Sequence, residues 1–116
     1  MYKDVQIGDK TVGMLSTAAS PLDYKDIFGK DFLTLVQSKE GPPPDIFVEI
    51  MFIFAKTAEL LDNPEALEKL TRKDFKRWCR TFTSGGMYDL YEAIPQVQEL
   101  IASSMKTTSV PKGAGV

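Results

Sequence analysis

The sequence predicts a mainly α fold: a small helical domain with an N-terminal β-hairpin and a disordered C-terminal tail. Three observations predict it. Apolar and polar residues alternate near the N-terminus, as in a half-buried strand. From Pro21 to Met105 the apolar residues recur at spacings of three and four, broken by glycine and proline. From Lys106 the run "KTTSVPKGAGV" loses both its periodicity and its large side chains. The boundaries follow as one domain over 1–106, with a hairpin at 3–15, and a flexible tail at 107–116.

Lys3–Ile7 and Thr11–Leu15 read as the two strands, with Gly8 and Asp9 supplying turn chemistry. Ser20 before Pro21 reads as an N-cap and first-turn pair, and Gly29 as the left-handed stop of that helix. A second helix carries Phe32, Leu33, Leu35 and Val36 to about Lys39, where Gly41 and three prolines break the chain. Asp45 then starts a helix whose apolar pattern runs to Leu61. Asn63-Pro64 ends it and caps a short successor, Glu65–Leu70. Thr71 and Asp74 form a capping box, with Asp in place of the usual Glu, ahead of Phe75, Trp78, Cys79 and Phe82. Beyond Ser84-Gly85-Gly86, one stripe joins Met87, Leu90, Ile94, Val97, Ile101 and Met105. Pro95 within it marks a kink or the first turn of a new helix. The predicted core draws on Phe32, Val36, Ile46, Ile50, Ile53, Phe54, Phe75, Trp78, Leu90, Ile94 and Ile101.

The segment "IFVEIMFIFA", Ile46–Ala55, holds one polar side chain, Glu49. A membrane span needs about 20 mainly apolar residues, and Glu49 and Lys56 interrupt this shorter run, so no membrane partner is expected. On a helical wheel Asp45, Glu49, Lys56 and Glu59 form one narrow polar stripe with Phe52 inside it, and every other face is apolar. Two readings stay open. The helix is a central core element, or a neighbouring subunit supplies part of its cover. In the second, Phe47, Met51 and Phe52 are candidate contact residues.

Composition narrows the chemistry. The net charge of −2 argues against a general nucleic-acid binder. The chain has no histidine and one cysteine, Cys79, so the usual general base and an internal disulfide are both absent and a reducing cytosol is the natural setting. No nucleophile, base and orienting group stand together in the pattern, and Ser84-Gly85-Gly86 lacks the lysine and spacing of a phosphate loop. No enzyme activity, cofactor or metal is expected. Arg72, Lys73, Lys76, Arg77 and Arg80 make a basic back to the tryptophan helix. Arg72, Lys76 and Arg80 are candidate contacts to an acidic partner or to phosphates, against the alternative of an ordinary solvated face beside Asp74, Glu65 and Glu68.

Taken in order, the hairpin, "STAASPLDYKDIFGKDFL", "IFVEIMFIFAKTAELL", "FKRWCRTF" and "AIPQVQELIASSM" resemble the tail assembly chaperones of long-tailed phages and prophages of Gram-positive bacteria. The likeness covers about residues 1–106 and is one of pattern and order, without an invariant motif. It implies a non-enzymatic factor of the host bacterial cytoplasm, absent from the mature virion. Such a factor self-associates, in several cases into open spirals. It binds and solubilises the tape measure protein and helps recruit tail tube protein. The alternative is a small helical regulator that binds nucleic acid through Arg72–Arg80.

Overall fold

The computed structural model describes residues 1–36 and 41–114 of the chain. Its strands are β1 (Tyr2–Ile7) and β2 (Lys10–Leu15). Its helices are α1 (Ser20–Phe28), α2 (Phe32–Val36), α3 (Pro44–Glu59), α4 (Pro64–Glu68), α5 (Arg72–Cys79), α6 (Met87–Glu92) and α7 (Ile94–Ala114). The fold is mainly α with an antiparallel N-terminal hairpin, as the sequence predicts.

The hairpin pairs Ile7 with Lys10 and Tyr2 with Leu15 across a two-residue turn. Gly8 has φ 61° and Asp9 keeps a negative φ, the glycine-first arrangement that suits strand twist. The alternation places Val5, Ile7 and Met14 inward, each almost without exposure, while Asp4 and Gln6 face solvent.

Most helix boundaries lie within a residue or two of the expected ones, but α5 ends at Cys79, short of Phe82, and α7 runs on to Ala114. Ser20 opens α1 after an Ala19 cap, and its hydroxyl accepts the Thr17 N–H at 3.0 Å. Gly29 closes α1 at φ 71°, its N–H bonding the Lys25 carbonyl. Pro43 rather than Asp45 caps α3, with Pro44 at its first position and Asp45 in its first turn. Asn63 caps α4 through Oδ1, which accepts the Ala66 N–H at 3.2 Å. At α5, Asp74 accepts the Thr71 N–H at 2.8 Å, so the shorter acid fills the capping role. Pro95 sits in the first turn of α7, after α6 has ended at Glu92. The expected end of the second helix near Lys39 and the Val36 side chain lie outside the described residues. The tail expected at 107–116 falls partly on α7, whose backbone is helical to Ala114.

At 1.5 Å per residue α3 is about 24 Å long, and it is the axis of the molecule. β2, α1, α5, α6 and α7 all pack on it. Every residue from Ile46 to Ala55 is buried. This overturns the idea that Phe47, Met51 and Phe52 belong to a contact surface. Met51 and Phe52 have 0% exposure and Phe47 has 7%. It also overturns the solvent stripe. Asp45 and Glu59 are exposed at its ends, but α1 and α5 lie over its middle, covering Glu49 and Phe52.

Of the predicted core, Phe32, Ile46, Ile50, Ile53, Phe54, Leu90 and Ile101 are buried, while Phe75, Trp78 and Ile94 are half-buried against it. Truncating Phe52 removes a ring wholly inside the core, so Phe52→Ala should cost about 3–5 kcal/mol in denaturant unfolding. Phe52→Glu should leave no folded chain by far-UV circular dichroism, because an unpaired carboxylate cannot be accommodated there.

Candidate functional site

Helix α5 is amphipathic in a simple way. Phe75, Trp78 and Cys79 point to the core, and Arg72, Lys73, Lys76 and Arg77 point away, continued by Arg80 at the helix end. Aromatic contacts hold the apolar side. The Phe52 ring lies 5.5 Å from Phe75 and 5.9 Å from Trp78. Phe75 meets Phe28 edge-on at 5.2 Å, and Trp78 meets Phe82 at 4.8 Å. Thus the apolar and basic candidates separate. Phe47, Met51 and Phe52 are interior, whereas Arg72, Lys76 and Arg80 are exposed. Phe52 nonetheless bears on the basic face, because it is part of the seat on which α5 rests.

The exposed face carries concentrated charge. Residues 72–80 hold five cations and one carboxylate in a chain of net charge −2, so the remainder carries −6. Arg72 lies over the Phe28 ring at 5.7 Å, and Arg77 pairs with Asp74 at 3.3 Å. Among the described residues Lys73, Lys76 and Arg80 make no ion pair. Cys79, half-buried beneath this face, has its thiol pushed up by burial, which disfavours the thiolate. No group of three metal-binding side chains occurs among the described residues.

A second polar centre lies under α1. Glu49 is 7% exposed, and its Oε1 accepts from the Tyr24 hydroxyl at 2.6 Å and from Lys30 Nζ at 3.0 Å. Burial, and then the Glu49 bond, hold the Tyr24 phenol far above its ordinary value, so it stays a donor at every working pH. A buried charge with a cation and a hydroxyl partner is a structural tie, not a reactive pair. Close by, burial raises Asp23 above its ordinary 3.8, and the neighbouring Asp26 and Glu68 raise it further. The Asp23 Oδ2 atom is buried without a hydrogen-bond partner.

The sequence reading missed both features. It set Glu49 on a solvent stripe because a wheel for one helix cannot show that α1 and the turn after it bring Tyr24 and Lys30 across it. It also missed exposed Met87, Tyr88 and Tyr91 on α6; Tyr91 donates to Asp45 at 2.6 Å and so ties α6 to the start of α3. No helix among the described residues is long and apolar enough to cross a membrane. No family model, curated protein or solved structure matches the chain.

Tyr24→Phe removes a bond to a buried charge and should cost about 1.5–3 kcal/mol in urea unfolding. For Asp23 the sign runs the other way from a salt-bridged acid. Its folded pKa is raised, so its contribution is most favourable below 3.8 and is lost as pH rises through the raised value. Asp23→Asn should therefore melt at a higher temperature than the parent at neutral pH, and the gap should close in melts near about pH 3.

Proposed function

We propose that the chain is a non-enzymatic tail assembly chaperone of the kind found in long-tailed phages and prophages. It works in the host bacterial cytoplasm, self-associates, binds and solubilises the tape measure protein, and helps recruit tail tube subunits. Support comes from the order of elements. The hairpin, the "SPLDY" helix α1, the apolar α3, the tryptophan helix α5 and the "IPQVQEL" helix α7 pack as one mainly α unit along the stretch that carries the resemblance.

The contact surface in this reading is not α3, whose apolar faces are used up within the chain. It is the basic face of α5. The observation that carries the proposal is that this charge is both concentrated and seated. Lys73, Lys76 and Arg80 lack partners among the described residues, on a helix fixed by Phe52, Phe75 and Trp78. A helical partner with an acidic stripe fits such a face. Tyr88, 68% exposed on α6, and Met87 beside it are further exposed apolar side chains.

Native mass spectrometry of the full chain, alone and with a tape-measure fragment, tests this. The parent chain should form oligomers and retain the fragment. Lys76→Glu/Arg80→Glu should keep its circular dichroism and lose the fragment at least tenfold. A chain that stays monomeric and retains nothing would remove the proposal.

A second reading rests on the same face. The five exposed cations suit nucleic-acid phosphates. That regulator should bind DNA or RNA with a log–log salt slope no steeper than about −4.5, the limit for five phosphate contacts on B-DNA. Absence of any gel retardation at low salt would eliminate it.

A further inference from the structure

The two edges of the hairpin are treated differently. In an antiparallel pair, alternate residues turn their backbone groups inward to the partner or outward to the edge. The Met1 and Ser16 backbones bond each other at 2.9 and 3.1 Å, which fixes the parity. Lys3, Val5 and Ile7 on β1, with Lys10, Val12 and Met14 on β2, bond across the hairpin. Asp4 and Gln6 then face outward from β1, and Thr11, Gly13 and Leu15 outward from β2.

The β1 edge is closed. The Gln96 side-chain amide accepts the Gln6 N–H at 3.0 Å and donates to the Gln6 carbonyl at 3.1 Å, as a neighbouring strand would. Lys3 and Asp4 add charge there, the usual guard against strand addition. The β2 edge has neither device. From Thr11 to Leu15 it is uncharged and free of proline, and its outward backbone groups make no bond among the described residues.

Beside that edge runs an open groove of about 390 Å³. Thr11 and Gly13 form one wall, Trp78 lines it, and the small side chains Ala55 and Ala58 of α3 leave room for main chain. Lys56 and Glu59 at its rim pair with each other at 2.8 Å, so the groove carries no net charge. Thr11 to Leu15 spans about 13 Å, enough for a five-residue extended segment at 3.3 Å per residue.

We propose that this groove takes an extended, uncharged peptide segment of a partner protein, added to β2 as a third strand. Main-chain bonds to Thr11, Gly13 and Leu15 would supply affinity, and alternate apolar side chains would enter between Trp78 and Ala58. A second copy is the less suited occupant: antiparallel pairing of two identical β2 edges would bring a second α3, packed on its own β2, to the same side of the sheet, whereas an extended segment brings no helix with it. The site is separate from the basic face of α5 and stands whether or not the proposed function does.

The probe is a synthetic uncharged pentapeptide of alternating threonine and valine, titrated into the full chain and followed by amide NMR. Shifts and slowed exchange are expected at Thr11, Gly13 and Leu15, with a change at the Trp78 indole. The same peptide N-methylated on the amides that face β2 should bind at least tenfold more weakly, a comparison that needs no variant to fold. Ala58→Gln, which fills the groove from its open side, should weaken binding by a similar factor. No shift at millimolar peptide, or shifts confined to the exposed basic residues Arg72, Lys73, Lys76, Arg77 and Arg80, would overturn the proposal. So would protection of the three amides that rises with protein concentration in the absence of peptide, which would assign the edge to another copy.

Discussion

Helix α3 is enclosed by the rest of the chain, and the remaining elements are arranged to meet that constraint. A helix that is apolar on nearly all sides must find cover around its whole circumference. In a chain of 116 residues the cover comes from several elements, most of them short, rather than from a single partner helix. β2 lies along one side, α1 and α5 cross another, and α6 and α7 complete the ring. Each piece brings a few large side chains, as α5 does with Phe75 and Trp78, and α1, α5 and α6, at nine residues or fewer, are too short to be stable alone.

Enclosure creates a problem at Glu49, where a carboxylate falls beneath α1. Its removal from water is offset by Tyr24 and Lys30. Lys30 comes from the residue after Gly29, so the left-handed end of α1 turns the chain to deliver the ammonium group. The tie fixes how α1 rotates against α3, because Tyr24 reaches Glu49 in one orientation only. The same orientation puts Phe28 under Arg72 and against Phe75. The position of the basic face therefore depends, through Phe28 and Phe75, on the buried charge.

Much of this was legible in the sequence, and the failures have one cause. Turn and cap chemistry is local, and so Gly8, Gly29, Asn63, Asp74 and Pro95 act close to where their residue types indicate. Alternation in the first strand indicated which of its residues, Val5 and Ile7, turn inward. What periodicity could not supply was which neighbour covers which face. Phe52, inside a row of charges, looked like a patch for another molecule, yet α5 from the same chain covers it. Glu49 looked solvated for the same reason. Arg72, Lys76 and Arg80 were placed correctly because the opposite face of their helix is strongly aromatic, which leaves the charges only one direction to point.

The contrast between the two strand edges bears on how such a small domain avoids indiscriminate pairing. A two-stranded hairpin has two open edges, and both invite aggregation. Here Gln96, carried on α7 far along the sequence, closes β1 only once the helices have assembled, so protection of that edge is a product of the tertiary fold. β2 gains no such cap. Its protection is at most steric, from α3 and Trp78, which flank the open groove beside it. An edge guarded by shape rather than by charge stays usable, and the fold keeps one hydrogen-bonding surface open without exposing its core.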